Sequence, residues 1–292
     1  MQPCPTLPPE LEYQIFLFAF QKERTRPINL LLVAKRVHDW LIPRIYEILV
    51  FRGGRARPNV AQLRTYGHHT RHLILTGVIP ISVTEMLSYF PNVVNLAIWA
   101  RSWLQDFGVE PKNPLTSLRL KRLSIHLEDM KDINLESTTN HEVKINENIK
   151  RFLSNITHLD CSKAIGQREL TALTYCTSLT HLCIFDTLPT QDLRWVFDVC
   201  NNLEVLIWLI TRSIAGVSHT SVVVVKDERL RATFKDCGLR PDDLDKIALI
   251  GCNGYGDDWE RGARGGVDMW ALADREVKNK REVSWGPGLL DT

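Results

Sequence analysis

A short pattern of alternating apolar and polar residues recurs along the middle of the chain. The copies follow the spacing L-x-x-L-x-I, and the clearest of them lie at residues 90–98, 153–161, 176–184 and 200–208. The second apolar position of successive copies falls at residues 73, 96, 123, 159, 182 and 206, in steps of 23, 27, 36, 23 and 24. Alternation with a period of two predicts a short β-strand in each copy, with alternate side chains in a core.

The segments between these copies predict helices. Apolar residues with helical spacing precede four of the strands, at residues 82–90, 146–155, 168–176 and 190–200. One strand every 20–29 residues is typical of leucine-rich repeats. We therefore predict an α/β solenoid over residues 51–266, with short parallel strands on one face and helices on the other.

Two regions interrupt or end the predicted repeats. The longest step contains a polar stretch at residues 128–145, which we expect to project from the edge of the solenoid. After residue 206 the pattern weakens, and it predicts strands at 221–225 and 246–250 with a helix at 228–237 between them. A glycine-rich stretch at 251–266 predicts a long loop, and residues 267–292 predict a polar helix and a tail.

The first 50 residues have helical rather than strand periodicity. One apolar stripe contains Leu11, Ile15 and Phe18, and a second runs from Leu30 to Leu41. Pro43 is placed to begin a third short helix, because proline is favoured in the first turn. Three helices of this size bury little surface by themselves, so we expect part of their apolar surface to meet a partner or the next domain.

The order of motifs in this region is specific as a set. It reads Leu7-Pro8-Pro9-Glu10, then Ile15-Phe16, then Leu32-Val33-Ala34-Lys35-Arg36-Val37 and Trp40. Over these roughly 45 residues the chain resembles an F-box, most closely the F-box-like proteins that are abundant in mushroom-forming fungi. It departs from the family at Ala34, where a cysteine is common.

The resemblance implies a function and a partner. In that family the F-box docks on the Skp-type adaptor of a cullin-based ubiquitin ligase, and the repeats recruit a protein target. The positions that the resemblance places at the adaptor interface are Leu7, Pro8, Ile15, Leu32, Val33 and Trp40. A protein of this kind is not an enzyme and needs no cofactor, because the ligase supplies the catalytic machinery.

The predicted strand register places outward-facing side chains in columns. One column begins His72, Asn95, Arg122, and continues through two more histidines. The aromatic and histidine side chains of these columns are typical of a surface that binds protein or peptide. We therefore expect an unknown protein target to contact Trp99, His126, His158, His181 and Phe185, although ordinary strand surface is an equally good interpretation.

Composition and charge exclude several other classes. Thirty-six basic and 34 acidic residues give a net charge of +2, far from the excess of a nucleic-acid-binding protein. No apolar run approaches the ~18 residues of a membrane-spanning helix. The start of the chain has no export signal, so we expect a cytoplasmic or nuclear protein. The seven cysteines form no C-x-x-C pair, which favours buried thiols over a metal site.

Two alternative functions stay open on the sequence. The first is a non-catalytic repeat scaffold, in which the F-box-like helices would serve only to cap the solenoid. A metal-dependent hydrolase would use the 251–266 stretch, where Asp257, Asp258 and Glu260 follow several glycines. That stretch lacks the lysine of a phosphate-binding loop.

Overall fold

A nine-stranded, mostly parallel β-sheet organises the molecule. The structure is a computed structural model that describes residues 7–22, 27–52, 59–77, 82–99, 114–125, 136–137, 143–144, 147–161, 171–185, 192–210, 222–226 and 228–284. The strands of the large sheet are β1 (Ile48–Arg52), β2 (His72–Thr76), β3 (Asn95–Trp99), β4 (Arg122–Ile125), β7 (His158–Cys161), β8 (His181–Phe185), β9 (Val205–Ile210), β10 (Val222–Val224) and β11 (Ile247–Cys252). A separate antiparallel pair consists of β5 (Glu136–Ser137) and β6 (Val143–Lys144).

Neighbouring strands of the large sheet follow one another along the chain. Their order is β1-β2-β3-β4-β7-β8-β9-β11-β10, and only the β10–β11 pairing is antiparallel. The predicted strand register is confirmed, because His72 pairs with Asn95, Arg122 with His158, and His181 with Val205. The strands predicted at 221–225 and 246–250 are also confirmed, as β10 and β11.

The α-helices lie between and beyond the strands. Their bounds are α1 (Pro9–Lys22), α2 (Lys35–Tyr46), α3 (Val60–Tyr66), α4 (Val83–Ser88), α5 (Pro114–Ser117), α6 (Glu147–Ser154), α7 (Leu193–Val199), α8 (Glu228–Asp236), α9 (Pro241–Asp245), α10 (Tyr255–Ala263) and α11 (Met269–Ser284). Residues 171–173 add a helical turn, and 3-10 helices occupy Pro27–Leu32 and Gly67–His69. The helices predicted before the strands are therefore present at α4, α6 and α7, and the one predicted at 228–237 is α8.

One face of the sheet carries an aliphatic core. Leu73, Leu96, Leu159, Leu182 and Leu206 project from successive strands and are almost completely buried. Side chains of α4, α6, α7 and α8 pack against them in one continuous cluster. These leucines are five of the six anchor positions of the repeated pattern, and the sixth, Leu123, belongs to the same cluster, so the pattern correctly identified the core face.

The opposite face of the sheet, which we call the strand face, is also covered. Helices α10 and α11 lie across it, and we call these two helices the C-terminal cover. Met269, Trp270, Ala273 and Val277 of α11 are buried against side chains of β8, β9 and β11. Trp259 of α10 packs with Ile74 and Ala97 of β2 and β3.

One sequence prediction near the N-terminus, the third helix, is wrong. Pro43 lies inside α2, where it begins no third helix. The residues that follow α2, Ile48–Arg52, instead form β1, which pairs in parallel with β2. Leu49 and Phe51 contact the aliphatic core while Ile48 and Val50 contact the cluster around Trp259. Because both faces of β1 are partly covered, its first four residues are all apolar and lack the alternation that identified the others. The predicted domain boundary at residue 50 falls within this strand.

The loop predicted at 251–266 is likewise wrong. Residues Gly251 and Cys252 end β11, and α10 begins after Gly254. Gly254 has a φ of 99°, a left-handed conformation that suits glycine and turns the chain from the strand into the helix. The polar helix predicted after residue 267 is present as α11, but one side of it is buried.

The polar stretch at 128–145 lies outside the described residues apart from β5 and β6. None of the helices in the described ranges combines the length and the apolarity needed to cross a bilayer.

Candidate functional site

A cluster of exposed apolar side chains marks the N-terminal helices. Leu11, Ile15 and Phe18 are spaced along one side of α1 and are 53%, 57% and 66% exposed. Leu7 lies before this helix, Leu32 ends the neighbouring 3-10 helix and is 81% exposed, and Val33 follows it. We call these six residues the N-terminal apolar face. Only one other large apolar side chain of the described residues, Val267, is comparably exposed.

Helix α2 holds α1 in place. The ring of Tyr13 packs edge-on against Trp40 with centroids 5.7 Å apart, and Arg36 Nη2 donates to Glu12 Oε1 at 2.7 Å. That hydrogen bond raises the pKa of the Arg36 guanidinium. Helix α2 is itself fixed to the rest of the molecule by its buried side chains Val37, Leu41 and Ile42. In contrast, α1 has no buried residue at all.

Most of the residues predicted to contact an adaptor lie on this surface. Leu7, Ile15, Leu32 and Val33 belong to the N-terminal apolar face, and Pro8 is exposed beside them. Trp40 is half-buried because it packs on Tyr13. The prediction omitted Leu11 and Phe18, although their spacing relative to Ile15 places all three on one side of the helix.

The residues predicted to contact a target have a different environment. The register brings them together as predicted, but the expectation of an open, outward face is wrong because the C-terminal cover lies on it. His181 is only 8% exposed, and His158, Trp99 and Phe185 are half-buried. His126 lies outside the described residues. The sequence pattern does not reveal the cover, because one of its two helices, α10, lies in the stretch predicted as a loop at 251–266.

Aromatic rings meet where strands β3 and β8 end. Tyr255 of α10 lies between Trp99 and Phe185, with ring centroids 5.0 Å and 6.2 Å away. The indole Nε1 of Trp99 donates to Ser124 Oγ at 2.8 Å. Gly256 lies beside the same indole, with room for a Cβ that would make an ordinary contact at 3.6 Å.

The two histidines of β7 and β8 are stacked under α11. Their rings are nearly parallel, 4.1 Å apart, and the ring of Trp270 meets both edge-on. His181 Nε2 lies 2.8 Å from Asp274 Oδ1, which lowers the pKa of that carboxyl. Burial lowers the pKa of His158 to about 3, helped by the neighbouring His181 and Arg122. His158 is therefore neutral near pH 7.

A polar turn joins the two helices of the cover and ties them to the sheet. Asp258 accepts hydrogen bonds from the backbone N–H of Met269 at 3.1 Å and from Arg261. Asp268 accepts from the N–H of Ala271 at 2.9 Å and from Arg122 of β4 at 3.3 Å. Burial is the largest influence on Asp258 and raises the pKa of its carboxyl.

The carboxylates that suggested a hydrolase are all close to arginines. Asp258 bonds to Arg261, as described above, Glu260 accepts from Arg264 at 2.7 Å, and Asp257 lies 3.8 Å from Arg52. Within the ranges that the structure describes, no group of three or more metal-binding side chains converges. The cleft between the cover and the sheet, lined by Asn95 and Trp259 among others, holds about 10 Å³, roughly the room for one water molecule.

The cysteines behave as buried hydrophobic side chains. Cys176 and Cys200 are 3% and 5% exposed in the aliphatic core, which confirms the prediction of burial. Burial raises the pKa of both thiols, that of Cys200 to about 11, so neither is a thiolate near neutral pH.

No protein-family model and no curated protein matches the chain. The geometry of the N-terminal apolar face and of the covered sheet is therefore the basis for assigning a function.

Proposed function

We propose that this protein is an adaptor that docks a partner protein on its N-terminal apolar face. The observation that carries this proposal is that six large apolar side chains are exposed on N-terminal helical elements that contact one another. Single exposed apolar residues are ordinary, whereas a contiguous group is typical of an interaction surface. The surrounding fold does not need these side chains, since α1 has no buried residue.

The more specific form of the proposal follows the sequence resemblance. The partner is a Skp-type adaptor, and through it a cullin, so that the chain serves as a substrate receptor of a ubiquitin ligase. The N-terminal helices are then an F-box and the sheet with its helices an irregular leucine-rich-repeat solenoid. Leu7, Ile15, Leu32 and Val33, which the resemblance places at the adaptor interface, are exposed together, and this supports the proposal.

The alternative of a capping role explains less. A cap buries its apolar side chains against the fold that it covers, and α2, which contacts α3 and β1, buries Val37, Leu41 and Ile42. Helix α1 packs on α2 but leaves Leu11, Ile15 and Phe18 exposed to solvent. A pure cap would leave no reason for that arrangement.

We locate the target-binding surface at the edge of the strand face rather than at its centre. The cover occupies the middle of the strand face, whereas Trp99 and Phe185 end their strands and keep part of their rings exposed. Half-exposed aromatic residues are frequent centres of protein interfaces. We therefore place the target at this edge of the sheet, beside Tyr255.

Titration of the purified chain with a purified Skp-type adaptor by calorimetry tests the docking proposal. Ile15→Ser removes one apolar contact, and burying such a side chain contributes about 1.5–3 kcal/mol, or roughly 10- to 100-fold in affinity. Gln14→Ser is the matched control, because it changes an exposed polar neighbour on the same helix. The proposal predicts weakened binding for the first variant only. Equal affinities for all three proteins would contradict it.

A further inference from the structure

A carboxyl group is buried where the C-terminal cover meets the strand face. Asp160, in β7, is 2% exposed. Its Oδ2 bonds to Ser124 Oγ of the neighbouring strand, but its Oδ1 has no hydrogen-bond partner. A buried carboxylate is costly unless a cation or several donors compensate it. Here the Ser124 hydroxyl does so, together with the Cys183 thiol, which is a weaker donor.

The neighbours of Asp160 provide little compensation. Across the sheet it pairs with Cys183 of β8, and Cys252 of β11 and Cys161 of its own strand are close enough to interact. All three thiols have a raised pKa and are uncharged near pH 7. The hydroxyl of Tyr255, from α10, lies 3.5 Å from Ser124 Oγ and reaches Asp160 only through that serine.

The charged groups around this position are bonded elsewhere. Arg122 of β4 donates to Asp268, and His181 of β8 lies against Asp274. His158 is stacked on His181, and Asp258 of α10 bonds to Arg261. In the part of the chain that the structure describes, no cation bonds to Asp160. Its pKa is accordingly raised to about 7, with burial as the largest cause.

We propose that Asp160 makes the attachment of the C-terminal cover to the sheet dependent on pH. The cover is held closed while this carboxyl is protonated and is loosened when the carboxyl ionises. Ionisation favours hydration of the carboxylate, and water reaches it by separation of the cover, because the other face of the sheet is the aliphatic core. Loosening would open the strand face on which His158 and His181 lie.

The direction follows from proton linkage. With the cover closed, the carboxyl binds its proton more tightly than a solvated aspartate does, whose pKa is about 3.9. Closure of the cover is therefore most favourable at low pH. The free energy that favours closure over opening decreases as the pH rises from about 4 to about 7. Between pH 6 and pH 8 the opening equilibrium constant increases about tenfold from this group alone.

Hydrogen exchange of the full-length protein at pH 6 and pH 8 tests the proposal, with rates corrected for intrinsic exchange. The measured amides are those of α11, compared between the wild type and Asp160→Asn, which keeps the shape and removes the titration. The ratio of opening in the wild type to opening in the variant is expected to rise about tenfold over this range. Opening of the cover would also relieve the burial that lowers the pKa of His158. This happens in both proteins, so the contribution of His158 to the pH dependence cancels in the ratio.

Asp243→Asn is the matched control. Asp243 is also buried, but it receives two hydrogen bonds from Arg240 and belongs to α9. This variant is expected to keep the pH dependence of the wild type. Amides of β2 and β3 should not respond in any of the three proteins, which separates local opening from global unfolding.

A second measurement needs no variant. The carboxyl carbon of Asp160 in the wild type, followed by NMR, should titrate with a midpoint near pH 7. A midpoint below pH 5 would overturn the proposal, and so would an unchanged ratio of opening between wild type and Asp160→Asn.

Discussion

The N-terminal helices α1 and α2 and the C-terminal helices α10 and α11 differ in the solvent exposure of their apolar side chains. Helix α1 has an apolar stripe of Leu11, Ile15 and Phe18 that is more than half exposed. Helix α11 has a stripe of similar spacing, and Met269, Ala273 and Val277 are almost completely buried against the sheet. An amphipathic helix needs a surface to pack on. The apolar side of α11 packs on the sheet of its own chain. The side chains of the N-terminal apolar face remain exposed to solvent.

The contrast separates stability from binding. Side chains of the cover should contribute to the free energy of unfolding, because they leave water when the chain folds. Side chains of the N-terminal apolar face should contribute to that free energy very little and to partner binding strongly. The following substitutions test this difference.

The largest effect is expected for Trp270→Ala. The indole is buried at 7% exposure and packs edge-on against the stacked rings of His158 and His181. Truncating a buried tryptophan costs about 3–5 kcal/mol, through lost burial and the cavity that remains. Urea denaturation measures this loss, and a change below about 1 kcal/mol would show that the cover contributes little to folding.

An intermediate effect is expected for Gly262→Ala in α10. A Cβ at this position would lie 2.2 Å from Asp268 Oδ2, so the turn that joins the two cover helices must shift. Such crowding costs about 1–3 kcal/mol. Gly256→Ala in the same helix is the control, because its Cβ would meet only Trp99 at an ordinary 3.6 Å. Alanine favours helix over glycine by about 1 kcal/mol, so thermal unfolding should show this variant unchanged or more stable.

The smallest effect on stability is expected for Phe18→Ser. This side chain is 66% exposed, and substitutions at such positions usually change stability by less than about 0.5 kcal/mol. Phe234→Ser provides the comparison, since that ring is 2% exposed and packs on Trp208 in the core. If Phe18→Ser were as destabilising as Phe234→Ser, the N-terminal apolar face would be part of the folded core.

The repeated pattern predicted the core face and the strand register, but not what covers the other face. Leu73, Leu96 and Leu159 could be located because each lies in an alternating segment whose spacing sets the pairing. β1 escapes the pattern because both of its faces are partly covered, so its apolar residues do not alternate with polar ones. The cover was missed because Gly254 and the charged pairs around Asp258 resemble a solvated loop, although their charges neutralise one another.

A usable signal for the cover was present in the sequence. Met269, Ala273 and Val277 recur every four residues in α11, which indicates one apolar side on an otherwise polar helix. Which surface that side would meet depends on contacts between residues far apart in the chain. Spacing within one helix does not contain that information. For the same reason, the spacing of Ile15 in α1 does not tell whether its side chain is packed or exposed.

The most direct test of the account is recovery of the partner from eukaryotic cells that express the tagged full-length chain. Mass spectrometry would quantify the Skp-type adaptor and the cullin that co-purify with the wild type, with Ile15→Ser and with Gln14→Ser. The account predicts that both partners accompany the wild type and Gln14→Ser and that Ile15→Ser recovers them at least about tenfold less. Absence of the adaptor from the wild-type sample, or equal recovery with all three proteins, would contradict the claim that the N-terminal apolar face is a docking surface for this partner.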